Sequence, residues 1–358
     1  MRKGMPIHSG PGSTLLSWNG TCPESPDGRR LTYFLMERPA SEEGETLNGE
    51  VWICDRDFGN HRKIMNAVMT CSGFQHNGAM ASWIDDRRLA FRETEGGRET
   101  IHIVDVDSGE PTLPPIIGSI GHYAVDHHLA FGVPPGYEDK NPDCPGIDEP
   151  GIYMLNCDTG DVTKILATAD ILAFLQSKGL TPKEETPRMS HVMPNQSRTR
   201  VMARWDAVEC QVIISANLSG EEKTLFRDKP LHQLWHDDDT YYAVDRHNTG
   251  NICRWAQDGT LLETLAGKGN HIDMSPDKEW FVTDSMYRTS PVFVDLFRRG
   301  ETTVQSRLNE HTIMHPVWKL MAHPNPVFSR DGTRVYFVQA ISEDRVNAVC
   351  VDISAMLQ

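Results

Sequence analysis

The sequence predicts an all-β fold, a seven-bladed β-propeller of four-stranded antiparallel blades, from two repeats that interleave along its 358 residues. The first repeat is a short β-branched run closed by a polar turn and, in most copies, a glycine. The second is a turn of the Ser-Pro-Asp-Gly kind that leads into another strand. Each occurs seven times and the two alternate, so a pair of hairpins recurs every roughly 40–60 residues, the spacing of one blade. A β-sandwich or a pair of smaller β-domains gives no reason for seven alternating copies.

In chain order the first repeat occupies residues 50–55 with Gly59, 101–105 with Gly109, 151–155 with Gly160, 211–214 with Gly220, 251–255 with Gly259, 291–295 with Gly300, and 348–352. The second is clearest at Ser25-Pro26-Asp27-Gly28, Ser275-Pro276-Asp277-Lys278 and Ser329-Arg330-Asp331-Gly332, with weaker copies at Asp85, Asp126, Asn195 and Asp237. Asp and Pro fix such a turn, and Gly relieves its positive φ. The chain ends soon after the seventh copy of the first repeat, so a segment before about Gly20 is expected to supply the fourth strand of the last blade. Length alone suggests two or three domains, whereas a closed ring makes one domain of residues 1–358.

Two stretches depart from the repeat. The first, near 132–150, is rich in Pro, Gly and Asp and includes Pro134-Pro135-Gly136-Tyr137, which reads as a long inter-blade insertion. In the second, Ile171, Phe174 and Leu175 fall at i, i+3 and i+4, predicting a short helix near 170–179 capped by Asp170 and stopped by Gly179.

Composition narrows the function. Fifty acidic against 35 basic side chains give a net charge of −15, with no clustered cations for a phosphate backbone, so nucleic acid is excluded as a partner. No apolar run is long enough for a membrane span, and no apolar stretch follows Arg2 and Lys3 as in a secretory signal. The eight cysteines stand singly, without a Cys-x-x-Cys pair, which fits a reducing cytoplasmic location better than a disulfide framework.

The histidines follow the repeat. His191 lies six residues before Ser197, His232 six before Asp238 and His271 six before Asp277, one shared phase at the start of the innermost strand. The three rings are therefore expected to converge on one mouth of the central channel. His122 and His76 fall near the same place in their own blades. In the last blade the shared phase is Asn325, and His323, two residues earlier, points the same way. One such histidine alone reads as an ordinary surface or core residue; several in register suggest a metal site, an acid–base site, or both.

The segments His232-Gln233-Leu234-Trp235, His271-Ile272-Asp273-Met274-Ser275-Pro276-Asp277 and His323-Pro324-Asn325-Pro326-Val327-Phe328-Ser329-Arg330-Asp331-Gly332 resemble blade motifs of the oligogalacturonate lyase family. The likeness runs over most of the chain and is clearest from about His191 onward. It implies a cytoplasmic seven-bladed propeller that uses manganese to cleave short acidic pectic oligosaccharides by β-elimination. By the same resemblance His232, in a His-x-x-Trp motif, matches the catalytic base, and His271 matches the first metal histidine. The family's other ligands come from a Gln-x-x-His-x-His motif, and the comparable stretch here is Leu320-Met321-Ala322-His323-Pro324-Asn325. Only His323 is retained. Leu320 cannot ligate, and Asn325 offers an amide oxygen where the family has an imidazole. A divalent metal is accordingly expected on His271, His323 and Asn325, with His191 or His76 as substitutes.

Elimination from a uronate makes three demands. The C6 carboxylate must be neutralised by a metal or an arginine. A base must reach the C5 proton, the role given to His232, and a donor must meet the departing C4 oxygen, the role given to Tyr287 or a protonated His191. Arg204, whose planar fork matches a carboxylate, is the expected clamp. His76, His122 and Arg288 complete the expected substrate wall. A body of charge −15 needs a locally basic mouth to receive an acidic oligosaccharide. Two alternatives stand beside this reading: a non-catalytic binding or scaffold propeller, and a lyase for another uronate linkage such as rhamnose–glucuronate. The chain carries no Gly-x-Ser-x-Gly elbow and no P-loop.

Overall fold

A computed structural model describes residues 4–70, 78–137, 141–144, 146–183, 189–285, 290–313 and 323–357. Its strands form seven antiparallel blades in chain order, each starting with its innermost strand. The first blade is Ser13–Leu15, Arg30–Met36, Thr46–Asp55 and Arg62–Thr70. One parallel pair, Met69 with Thr94, joins it to the second: Ser82–Trp83, Arg88–Glu95, Arg98–Asp105 and Ile116–Ile117. The third is Ser119–Val125, His128–Val133, Gly151–Asn156 and Val162–Ala167, and the fourth Ser190–Pro194, Arg200–Asp206, Gln211–Asn217 and Lys223–Phe226. The fifth is Leu231–Trp235, Thr240–Val244, Asn251–Ala256 and Leu261–Lys268. The sixth is Ile272–Met274, Trp280–Asp284, Val292–Arg298 and Ser306–His311.

The seventh blade has Val327–Phe328, Arg334–Ser342 and Arg345–Asp352, and its outer strand is Met5–Pro6 from the other end of the chain. Met5 stands opposite Cys350 and Pro6 opposite Val349, the N-terminal closure that the missing fourth strand predicts. Pro6 is tolerated because an edge strand can spare an N–H. Glu24 fastens the same seam from the first blade. Its buried carboxylate accepts from Arg56 Nε at 2.9 Å, Tyr336 hydroxyl at 2.6 Å and the Arg330 backbone N–H at 2.8 Å.

Blades cover each other on both faces, so middle strands carry continuous buried runs instead of alternating: every residue of Thr240–Val244 is buried. The Ser-Pro-Asp-Gly turns share one hydrogen-bond pattern. Ser25 Oγ donates to Asp27 Oδ1 at 2.6 Å and accepts from Arg30 N–H at 3.0 Å, and Ser329 repeats this with Asp331 and Arg334. In the weaker copy Asn195 Oδ1 substitutes for the serine, accepting from Thr199 and Arg200 N–H.

The helix spans Thr168–Ser177, two residues ahead of its expected start. Ala167 holds the cap position with no side-chain cap, and Asp170 lies in the first turn, where its charge faces the positive helix end. Ile171 and Leu175 are fully buried against the fourth blade, beside Trp205 and Val212. The insertion leads away from His128–Val133, and Asn141 anchors it on the second blade, accepting from Ile117 N–H and donating to Ile117 O. Among the described residues no helix is long and apolar enough to cross a membrane.

Candidate functional site

Five consecutive blades bring one histidine each to the same mouth of the channel. The ring centroids of His122, His191, His232, His271 and His323 are separated in turn by 4.8, 6.2, 4.2 and 4.9 Å. Inner strands of the third, fourth and fifth blades slip register beside their histidines, between Ile120 and Ala124, Ser190 and Met193, and Leu231 and Leu234. Such bulges re-aim a side chain without ending the strand. His191 and His232 take positive φ, 57° and 54°, and Asn325 joins them at 44°, as its spacing in the sequence predicts. A left-handed non-glycine residue costs about 1–3 kcal/mol, a strain that clusters at functional sites. Gly121 precedes His122 because a Cβ there would lie 2.1 Å from Ala130 O.

Trp18 fills the centre of the arc. The innermost strand of the first blade leaves its ladder after Leu15 and rejoins it where Glu24 bridges Leu31. In between, Trp18 lies 5.4 Å from the His122 ring, 5.1 Å from His191, 6.1 Å from His232 and 6.3 Å from His271. Thr21 fixes this excursion by donating to His122 O at 2.7 Å. The repeat pattern carries no signal for Trp18, since among the described residues no other blade has the excursion.

Asp284, at the end of the strand beside His271, was equally hidden. It is fully buried and accepts from His271 N–H at 2.8 Å, from Asn325 N–H at 3.2 Å and from His271 Nδ1 at 2.8 Å. That contact places the proton of His271 on Nδ1 and turns Nε2 toward His323, whose Nδ1 is 3.3 Å away. Carboxylate-held imidazoles are the usual support of metal ligands, and two ring nitrogens at this spacing can share one cation. Asn325, fully buried, is tied to the same carboxylate. Among the described residues no group of three or more His, Cys, Asp or Glu side chains is placed to hold a metal ion.

Cationic side chains act on the histidines of the mouth. Burial, Arg204 and Arg92 push His122 down to about 3. Burial, Arg204 and His122 hold His191 well below its ordinary value, with Lys229 and His232 adding to the effect. That shift disfavours the protonated His191 expected as the acid for the leaving oxygen, and its ring contacts Ser190 Oγ at 3.1 Å. His122 is 3% exposed and packs between Trp18 and His191. Lys229, which the sequence reading missed, is buried, and burial with Arg204 and Arg246 holds its amine well below the ordinary lysine value. His76, Tyr287, Arg288 and Leu320 lie outside the described residues.

The other mouth is differently built. A cavity of about 450 Å³ is lined there by Trp83, Tyr123, Tyr242, Asp273, Lys278 and Arg330, among others. Asp273 accepts from Phe328 N–H at 2.8 Å and from the Tyr242 hydroxyl at 3.3 Å, and burial pushes its carboxyl up to about 7.

No family model matches the chain, and no curated protein is similar in sequence. Solved structures are similar in fold. An oligogalacturonate lyase in complex with manganese superimposes with a TM-score of 0.63 at 13% identity, over 97% of this chain and 92% of that one. The oligogalacturonate lyase of Vibrio parahaemolyticus gives 0.63 at 11%, over 99% and 94%. A β-propeller domain from Myceliophteria thermophila gives 0.57 at 11%, over 98% and 100%. The chain therefore has the propeller fold that these lyases share with other propellers.

Proposed function

We propose that the histidine mouth is the active site of a lyase that cleaves a uronic-acid-containing oligosaccharide by β-elimination, as oligogalacturonate lyases do. The observation that carries this reading is the arc of five histidines from five consecutive blades, with His271 oriented by the buried Asp284 toward His323. The manganese complex among the fold neighbours supports a divalent ion, manganese in the first instance. His271 and His323 would hold it, with Asn325 beside them, and it would supply positive charge to the C6 carboxylate.

The chain's own groups do the rest. His232, 4.2 Å ring to ring from His271, is placed to take the C5 proton. As that proton leaves, its electron pair forms the C4–C5 double bond, the C4–O bond breaks, and the departing oxygen takes a proton. Tyr287 remains the donor that the sequence suggests. Arg204 meets charge on the carboxylate. Trp18 offers an aromatic face to a sugar ring at the centre of the arc.

The test is direct. Purified protein given manganese and saturated oligouronides should show a rise in ultraviolet absorbance from the new double bond, and chelation should abolish it. No rise with oligogalacturonate but a rise with a rhamnose–glucuronate substrate would reassign the linkage. No rise with any uronate would leave a binding propeller.

A further inference from the structure

The ring is closed by a short latch. The closing strand Met5–Pro6 has two residues, and beyond it the Ile7 N–H donates to Ala348 O at 2.9 Å before the chain crosses from the seventh blade to the first. His8 lies in this crossing, half-buried, beside two side chains of the first blade. Tyr33 comes from the strand Arg30–Met36 and is 1% exposed, whereas His61 comes from the turn ahead of Arg62–Thr70 and is exposed. Both imidazoles bring Nδ1 to the Tyr33 hydroxyl: His61 Nδ1 is 3.0 Å from it and His8 Nδ1 3.5 Å. The two imidazole rings are 5.3 Å apart and nearly perpendicular, at 85°. Trp52, paired with Tyr33 across the strands, stacks along it at 6.4 Å and lies 6.4 Å from the His8 ring, its indole N–H held by Glu50 Oε2 at 2.8 Å. None of these residues belongs to the histidine mouth.

A phenol oxygen carries one hydrogen, so it can donate to only one of the two nitrogens, and His8 approaches it at the limit of a hydrogen bond. Two donors bound to one tetrahedral ion at about 2.0–2.1 Å lie roughly 3.3–3.4 Å apart, and the spacings of 3.0 and 3.5 Å bracket that value. We infer that His8, His61 and Tyr33 form a site for a zinc-like divalent ion that staples the N-terminal crossing to the first blade. Two imidazoles and an oxygen suit such a borderline ion, with each histidine carrying its hydrogen on Nε2, and the exposure of His61 leaves the fourth position to water. His8 follows Ile7 directly, so an ion that holds it resists peeling of the closing strand, and the free energy of binding becomes stability of the closed ring. The site is separate from His271 and His323 and stands independently of the lyase reading.

The experiment is titration of the chelated and dialysed full-length protein with zinc, read by calorimetry, by melting and by amide hydrogen exchange. Wild type is compared with H8Q, H61Q, Y33F and, to silence the histidine mouth, H323Q. His8 is half-buried and His61 exposed, so their variants should fold. In wild type and in H323Q, zinc should raise the melting temperature and slow exchange of the Ile7 N–H. H8Q and H61Q should each weaken this binding at least about tenfold and lose both effects, and Y33F, which keeps the ring and removes the oxygen, should weaken it as well. Zinc affinity at this site unchanged in H8Q, H61Q or Y33F would overturn the inference. Binding that depends on the two histidines but leaves Ile7 exchange and melting unmoved would mean an adventitious ion only, and would overturn the staple.

Discussion

The two mouths of the channel are made from the two ends of the same inner strands, yet they are opposite in chemistry. At one end the strands bulge, two histidines sit at positive φ, and cations crowd buried imidazoles. At the other, Ser-Pro-Asp-Gly turns close the hairpins with satisfied hydrogen bonds, and a single buried carboxyl faces the cavity. Repetition builds the turn end because every blade needs the same hairpin. Departure from repetition, in bulges and in the Trp18 excursion, builds the histidine end.

The first way to break this contrast is Asp284→Ala. It removes the buried carboxylate that accepts from the His271 ring and from the His271 and Asn325 backbone N–H groups, so a loss of about 3–5 kcal/mol is expected in urea unfolding. A loss under about 1 kcal/mol would mean that the arc is not held from Asp284.

The second is pH. Asp273 has its folded pKa raised, so the folded state binds the extra proton between its ordinary value and about 7; the stability it contributes is present in acid and is lost as pH rises through that window. His122 has its folded pKa lowered to about 3, so the unfolded state binds the extra proton below 6.5; its contribution is present above 6.5 and is lost as pH falls toward 3. Between about pH 4 and 6.5 the two mouths therefore pull in opposite directions, each by about 1.4 kcal/mol per unit per proton. Asp273→Asn should make stability rise more steeply with pH in this window, and His122→Gln should make it rise less steeply or fall. Parallel profiles for the two variants would contradict the assignment.

The smallest effect is at the turns. Ser275→Ala, which removes a donor to Asp277 and an acceptor for Trp280 N–H, should cost about 1 kcal/mol and leave substrate turnover unchanged. An equal loss of turnover would show that the turn end shapes the histidine end.

Much of this was legible in the sequence because a ring of identical hairpins repeats its signals. The seven paired repeats, the N-terminal closing strand and the phase shared by His191, His232, His271 and Asn325 all follow from counting residues between turns. Unique features leave no such trace. Trp18 reads as one aromatic in a terminal loop, and only the three-dimensional path of the first blade puts it among four histidines. Lys229, beside Pro230, reads as a solvated charge between strands until its burial is seen. Asp284 reads as a polar strand end, since nothing in spacing says that it turns back to His271 and Asn325. The helix start moved for a related reason: Asp170 looks like a cap, but the packing of Ile171 and Leu175 sets the helix, and the chain enters it directly from the strand ending at Ala167.

The central claim is that catalysis belongs to the histidine mouth with His232 as base. It is tested most directly by kcat/KM on oligogalacturonate with manganese for wild type, His232→Ala and Asp273→Asn, alongside their melting temperatures. The account predicts a loss of at least about a hundredfold for His232→Ala at an unchanged melting temperature, and wild-type turnover for Asp273→Asn at neutral pH. Retained activity in His232→Ala, or its loss in Asp273→Asn alone, would contradict it.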